Sequence, residues 1–169
     1  LTRIPDEASV GILTGGIDGG IGNNAQIHAV GNPANSFYVY EQLYNEAGKP
    51  LEGEFADRNE DGVVNEQDRY IAQNPNPDMF LGCFGSDTAG KWSAAFAMRA
   101  ELGRWVYNNV NSTRGFYGAI PAENWMINLN PSFYESGLMN STTEQYLSDY
   151  WIEKANFLRM DYIRVGYDL

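Results

Sequence analysis

Residues 91–107 read Lys-Trp-Ser-Ala-Ala-Phe-Ala-Met-Arg-Ala-Glu-Leu-Gly-Arg-Trp-Val-Tyr. Trp92, Ala94, Phe96, Met98, Ala100 and Leu102 fall on one side of an extended chain, and Ser93, Ala95, Ala97, Arg99, Glu101 and Gly103 on the other. Strict alternation of this kind is the signature of a strand with one apolar face. It holds for about eleven residues, whereas soluble strands usually run to about five or six. Eleven is the length a tilted strand needs to cross a bilayer. Trp92 at one end, with Trp105 and Tyr107 at the other, stand where aromatic girdles form.

The flanking sequence supplies partners for this strand. Residues 79–86, Met-Phe-Leu-Gly-Cys-Phe-Gly-Ser, predict a shorter strand joined to it by a turn at Asp87-Thr-Ala-Gly90. Residues 156–169 predict a third strand of imperfect alternation. Leu158, Met160 and Tyr162 share one face, and Ile163, Val165, Tyr167 and Leu169 the other, which a bulge near Tyr162 reconciles. Residues 37–44 are β-prone, with a turn at Asn45-Glu-Ala-Gly48. Residues 108–140 read as loop, with Phe116, Tyr117, Trp125 and Tyr134 among Asn and Gly. Ser141-Thr-Thr-Glu144 is a capping box, and Tyr146, Leu147, Tyr150 and Trp151 follow at helical spacing, predicting a short helix over 142–152.

A second motif lies upstream. Residues 57–68, Asp-Arg-Asn-Glu-Asp-Gly-Val-Val-Asn-Glu-Gln-Asp, match the calcium-loop template D-x-[DN]-x-[DN]-G-x5-E up to its last letter. Hard cations need six or more oxygens, and this spacing offers them from one loop. The candidate ligands are Asp57, Asn59 and Asp61, the Val63 carbonyl, Asn65 directly or through water, and the Asp68 carboxylate. Asp in place of Glu at the closing position is shorter and weakens the site. Gly48, Pro50 and Gly53 forbid an entering helix, while Asn65 caps at most a short one before Asn74-Pro-Asn-Pro77. The expectation is a structural calcium site in a surface region, not a sensor of paired helices.

Composition narrows the function. The chain of 169 residues carries a formal net charge of −11, which repels phosphate backbones and argues against nucleic acid. No basic run suits anionic lipid heads. Eleven Tyr and four Trp, with abundant Gly and Asn, suit extracellular loops and sugar-binding surfaces. Cys83 is the only cysteine, so it has no partner for an internal disulfide and lacks the company of a zinc site; His28 is the only histidine, so a nucleophile–histidine system would depend on it, and nothing near it reads as a nucleophile elbow. Acidic residues are plentiful, yet no pair is singled out by spacing for general acid–base work. The chain is therefore read as not an enzyme, with no catalytic residues. Gly15-Gly-Ile-Asp-Gly-Gly-Ile-Gly22 lacks the Gly-Lys-Ser/Thr ending of a phosphate loop. No stretch approaches 18 apolar residues, which excludes a membrane helix but not barrel strands. Residue 1 is Leu, and the strand-like run 162–169 reaches the last residue, so the chain reads as a piece of something longer.

These segments, in this order, resemble SusC/RagA-type TonB-dependent outer-membrane transporters. The resemblance is carried first by Asn35-Ser-Phe-Tyr-Val-Tyr-Glu41, Asn45-Glu-Ala-Gly-Lys-Pro50, Asp57-Arg-Asn-Glu-Asp-Gly-Val-Val-Asn65 and Pro75-Asn-Pro-Asp78. It continues through Ala94-Ala-Phe-Ala-Met-Arg-Ala-Glu-Leu-Gly103, Val106-Tyr-Asn-Asn109, Tyr146-Leu-Ser-Asp149 and Ala155-Asn-Phe-Leu-Arg-Met-Asp-Tyr-Ile-Arg-Val-Gly-Tyr167. The resemblance implies a place late in a plugged barrel of about 22 strands. It implies import of glycans or peptides with a SusD-like surface lipoprotein and TonB, the latter engaged through regions absent here.

The fold expected is mainly β: antiparallel strands of a large transmembrane β-barrel with long extracellular loops and one or two short helices. Residues 1–78 form an extracellular loop region holding the calcium-like loop, 79–107 a barrel hairpin, 108–155 a second extracellular loop with a short helix, and 156–169 a barrel strand. By the resemblance, the 87–90 turn is periplasmic, Arg99 and Glu101 face the lumen, and Trp125 and Tyr134 are candidates for substrate or lid contact. The alternative is a soluble secreted carbohydrate-binding β module stabilised by calcium. The apolar face from Trp92 to Leu102 discriminates the two. A barrel gives that face to lipid, and a soluble module buries it against a second sheet.

Overall fold

In a computed structural model of the chain, the residues described are 11–16, 24–119, 128, 130–140 and 142–169. They fall into two compact units, Leu1–Pro75 with Val106–Glu153 and Asn76–Trp105 with Lys154–Leu169. The divisions lie two or three residues before the expected 78/79, 107/108 and 155/156. In chain order the strands are β1 (Ile12–Gly16), β2 (Asn24–His28), β3 (Ser36–Val39), β4 (Gln42–Tyr44), β5 (Pro50–Phe55), β6 (Tyr70–Ile71), β7 (Met79–Ala89), β8 (Trp92–Leu102), β9 (Trp105–Tyr107), β10 (Ile152–Lys154) and β11 (Phe157–Tyr167). Three short helices are described, α1 (Asn109–Arg114), α2 (Ser132–Ser136) and α3 (Thr143–Tyr146). The architecture is mainly β with antiparallel sheets, and the described strands do not close into a barrel. No helix among the described residues is long and apolar enough to cross a membrane.

The first unit holds a four-stranded sheet, β1-β2-β3-β6, and a hairpin of β4 and β5. The β-prone run 37–44 is split, because the backbone of Tyr40 leaves the sheet to bond elsewhere. Tyr40 N donates to Leu147 O at 2.8 Å and Asp149 N donates to Tyr40 O at 2.9 Å. Asn45 turns the chain into β5, its side-chain oxygen accepting from the amides of Ala47 and Lys49. Two apolar clusters form the core. Ala25, Tyr40, Phe55 and Leu147 make one, Phe116, Leu138 and Trp151 the other, and Tyr107 packs against both.

A buried polar network ties distant parts of this unit together. The Gln42 amide group donates to the carbonyls of Leu51 at 2.7 Å and Glu54 at 3.0 Å. Its oxygen accepts from Gln145 Nε2 at 2.9 Å and Ser148 Oγ at 3.0 Å. The Gln42 backbone N–H and the Tyr70 hydroxyl both donate to the Asp149 carboxylate, at 3.0 and 2.7 Å. Burial pushes the Asp149 carboxyl above the usual carboxylate range, and these two donors pull against that shift. Burial, reinforced by the accepting carboxylate, raises the Tyr70 hydroxyl, which stays a donor at neutral pH.

This network explains why the expected helix over 142–152 is broken. α3 starts with Thr142 as N-cap, its hydroxyl accepting from the Gln145 amide at 3.2 Å. Ser141 lies outside the described residues. The helix stops after Tyr146, because Ser148 bridges to Tyr40 and then caps a 3₁₀ turn at Asp149–Trp151. The aromatic spacing was real, and tertiary bonds to Tyr40 overrode the propensity for a longer helix. Residues 108–140, read as loop, hold α1 and α2. α1 begins where the Asn108 side chain accepts from the Asn111 amide.

The second unit is a three-stranded antiparallel sheet in the order β11-β8-β7. β7 reaches Ala89, three residues beyond the expected strand, because its pairing with β8 runs unbroken from Met79↔Leu102 to Ala89↔Trp92. The turn therefore falls at Gly90-Lys91 instead of 87–90. β8 ends at Gly103, whose φ of +77° suits only glycine, and a Cβ there would lie 2.0 Å from Asp78 Oδ2. That break separates Trp105 from β8. It also sends Tyr107 into the core of the first unit, where its hydroxyl donates to the Tyr146 carbonyl. Tyr107 therefore belongs to a packed core and not to an aromatic girdle.

Candidate functional site

Two places carry the sequence expectations: the 57–68 loop of the first unit and the two faces of the β7-β8-β11 sheet.

The loop begins just past β5 and ends in a 3₁₀ turn at Glu66–Asp68. A strand, not a helix, enters it, as Gly48, Pro50 and Gly53 require. The turn is capped by Asn65, whose side chain accepts from the Gln67 amide at 2.8 Å. Asp57 stands at the centre of the loop, accepting from the amides of Asp61 at 3.3 Å and Gly62 at 2.7 Å. Asn59 Oδ1 accepts from Asp61 N at 3.0 Å, and Asp61 Oδ1 from Val63 N at 2.8 Å. Gly62 has φ +85° and Glu60 φ +60°. Left-handed backbone at Glu60 costs about 1–2 kcal/mol in a residue with a Cβ, and the ring of Asx turns holds it there.

Asp68 behaves differently from the other five candidate ligands. It is wholly buried. Its Oδ1 accepts from the amides of Arg58 at 2.9 Å and Asn59 at 3.2 Å, and its Oδ2 from Asn65 N at 2.8 Å. The Asn65 amide, helped by those of Asn59 and Arg58, holds the carboxyl below the usual carboxylate range against the cost of burial. The short closing Asp thus draws the ends of the loop together. Val63 O accepts from Asn65 Nδ2 at 3.1 Å. Asn59 and Asp61 remain exposed, and Asp57 is half-buried. Among the described residues no group of three or more His, Cys, Asp or Glu is arranged to hold a metal ion. The loop is fastened to its unit by Arg58, which pairs with Glu41 and lies over the Tyr70 ring, 4.5 Å from its centroid.

The sheet of the second unit has two unlike faces. On one, following the register, stand Leu81, Cys83 and Gly85 of β7, then Trp92, Ala94, Phe96, Met98 and Ala100 of β8, then Leu158, Met160, Ile163, Val165 and Tyr167 of β11. Asp87 is the one charged residue on this face. Its large side chains are open: Leu158, Ile163 and Val165 are 70%, 68% and 66% exposed. Phe96 lies over Gly85, where an added Cβ would stand 2.9 Å from Cε1 of its ring, so an aromatic covers the bare backbone of its neighbour. Trp92 and Tyr167 meet at the turn end, with ring centroids 4.8 Å apart.

The other face carries Arg99 and Glu101, as alternation predicts, and also Arg159, Asp161 and Arg164. The register of β11 on β8 shifts between Met160 and Tyr162. The predicted bulge is therefore present and Asp161 is the extra residue. It turns to the polar face, where Oδ1 lies 3.3 Å from Arg99 Nε and 3.7 Å from Arg159 Nε. Glu101 pairs with Arg104 at 2.8 Å. Sequence alternation misses Asp161 because the bulge itself sets its face.

Other candidates are ordinary or out of view. His28 Nε2 lies 2.7 Å from Asn35 Oδ1, and Cys83 is exposed on the apolar face. Tyr134 is exposed and packs its ring edge on Phe133, with centroids 5.6 Å apart. Trp125 lies outside the described residues.

No family model matches the chain. Over 154 residues, 86% of this chain, it is 39% identical to the TonB-dependent receptor SusC of Bacteroides thetaiotaomicron. The chain spans about 15% of that relative's length. A match of this identity runs through both the loop-rich unit and the two-faced sheet, and by it the chain belongs to the SusC family.

Proposed function

We propose that this chain forms part of the wall and outer loops of a TonB-dependent outer-membrane importer. The observation that carries the reading is the two-faced sheet. Three paired strands of eleven residues each, with an open apolar face on one side and the charged residues of β8 and β11 on the other, suit a wall between lipid and an aqueous lumen. A soluble secreted β module is disfavoured by the same face, whose Leu158, Ile163 and Val165 are exposed among the described residues. The importer would take up glycans or peptides with a SusD-like lipoprotein outside and TonB driving from inside. The similarity to SusC supports that reading. Transport by this route makes the chain no enzyme. In the full-length receptor, positions 94, 96 and 98 must then touch lipid, and 95, 97 and 99 must not. A residue-by-residue scan of lipid contact decides it.

The 57–68 loop is read as a brace in the outer loops that takes calcium weakly. Asn59 and Asp61 present oxygens on the exposed side and Asp57 from its half-buried place at the centre of the loop, with the Val63 carbonyl and Asn65 beside them. Asp68 supports the site from behind by closing the backbone, so the donor set is smaller than the twelve-residue template promises. Millimolar external calcium suits such a site. Its effect is expected as a rise of a few degrees in the melting temperature of the loop region of the full-length receptor, by about RT ln(1 + [L]/Kd). Equal melting in millimolar calcium and in a chelator rules the metal out and leaves the loop closed by Asp68 alone.

A further inference from the structure

Charge is unevenly divided in this molecule. The whole chain carries 11 Lys and Arg against 22 Asp and Glu, yet the sheet unit carries six against five. On the polar face of the sheet, Arg99 stands directly opposite Arg159. Like charges in that position repel, and the two share a single carboxylate oxygen of Asp161 through their Nε atoms, 3.3 and 3.7 Å away. Each guanidinium also carries two Nη groups, which help make the fork that grips a carboxylate from two sides. Arg164, opposite Ala95 on the same face, makes no ion pair among the described residues.

Between the Arg99–Arg159 row and the Arg164 row lies a third row, Phe84, Ala97 and Tyr162. Phe84 is 85% exposed and Tyr162 53%, and the residue between them is only an alanine. Gly82, opposite Arg99, borders open space, for a Cβ there would meet nothing within 4 Å. Rows on one face are about 7 Å apart, and the two rings, two strands apart, about 10 Å. The register thus sets the small Ala97 between two exposed aromatic residues, with the Arg99–Arg159 pair in the row on one side and Arg164 in the row on the other, so that side-chain size leaves a hollow over Ala97.

Resting on the importer reading, we propose that this hollow is a subsite for an acidic sugar: a uronate residue of an oligosaccharide lies over Ala97 between Phe84 and Tyr162, its carboxylate gripped by Arg99 and Arg159. The rings supply apolar surface to the sugar face, and Asp161 holds both arginines on one side so that their forks stay aimed at the ligand. A neutral sugar would leave two like charges facing each other with one counter-charge between them.

The test uses the full-length receptor in detergent, with a galacturonate oligosaccharide and its carboxyl-reduced neutral counterpart as probes in calorimetry. Heat-modifiable gel migration confirms that the barrel is folded in the same sample. A sample that never forms a folded barrel refutes the importer reading; the results below concern the subsite alone. The uronate form is expected to bind at least about tenfold more tightly than the neutral form, as one charge-assisted bidentate contact allows. The Arg99→Gln/Arg159→Gln variant is expected to lose that preference, and Phe84→Ala to weaken the binding of the uronate form. Equal binding of both sugars, or a preference that survives the double variant, overturns the proposal. A double variant that destabilises the folded barrel while leaving the preference intact assigns the arginines to acidic groups elsewhere in the receptor, which also overturns it.

Discussion

Replacing Phe96 by Arg in the full-length receptor is expected to destabilise the folded barrel by about 2–4 kcal/mol, the cost of a guanidinium near the middle of a lipid-facing strand. Phe96 is the fifth of the eleven residues of β8, close to its centre. It lies on the apolar face, and its ring covers Gly85 on the neighbouring strand. The substitution removes that cover and places a charge among Ile163, Val165 and Met98. The control is one residue away. Ala97→Arg adds the same charge on the face that already carries Arg99 and Arg159, and is expected to cost less than about 1 kcal/mol. Urea titration of folding into lipid vesicles, read by heat-modifiable migration, gives both numbers. Equal costs at 96 and 97 contradict a membrane-facing sheet.

Replacing Gln42 by Met is expected to be the most damaging single change in the first unit, at about 3 kcal/mol or more. Met has nearly the same length and shape, so packing is largely kept and the loss is polar. The change leaves the Leu51 and Glu54 carbonyls without their donor and takes the acceptor from the buried Gln145 Nε2 and Ser148 Oγ. Each buried group left unpaired costs about 1–3 kcal/mol, partly relieved by rearrangement. The damage should spread beyond β4. Tyr40, Leu147 and Trp151 are held in register by the same segment, and Trp151 Nε1 donates to the Gln145 carbonyl at 2.8 Å. Hydrogen exchange of the amides of residues 145–151 in the full-length receptor reads the effect. Unchanged protection there would show that the network is incidental to the fold.

The strands of the sheet were legible because their faces differ. Alternation in Trp92–Leu102 depends only on which side meets an apolar medium, so period 2 survives in the sequence. The β11 bulge was legible for the same reason, since Leu158 and Met160 fall out of phase with Ile163 and Val165. What the bulge does to charge was not legible. Asp161 reaches the polar face only once the register with Met98 and Ala97 is fixed. In the first unit the short elements are set by tertiary bonds. Gln42 and Ser148 read as unremarkable polar residues, yet they decide where β4 begins and where α3 stops. In the 57–68 loop, spacing anticipated the left-handed turn at Gly62. Spacing could not show that a closing Asp, shorter than Glu, would bond to the amides of Arg58, Asn59 and Asn65.

The Trp92–Leu102 strand is proposed to be part of a wall with lipid on one side. Single cysteines at positions 93 to 101 of the full-length receptor, with the native Cys83 replaced by Ser, can be labelled with a fluorophore in vesicles containing brominated lipid. The labels at 94, 96, 98 and 100 should be quenched by bromine, and those at 93, 95, 97, 99 and 101 should respond instead to a water-soluble quencher. Quenching that does not alternate, or that affects neither set, would contradict that placement.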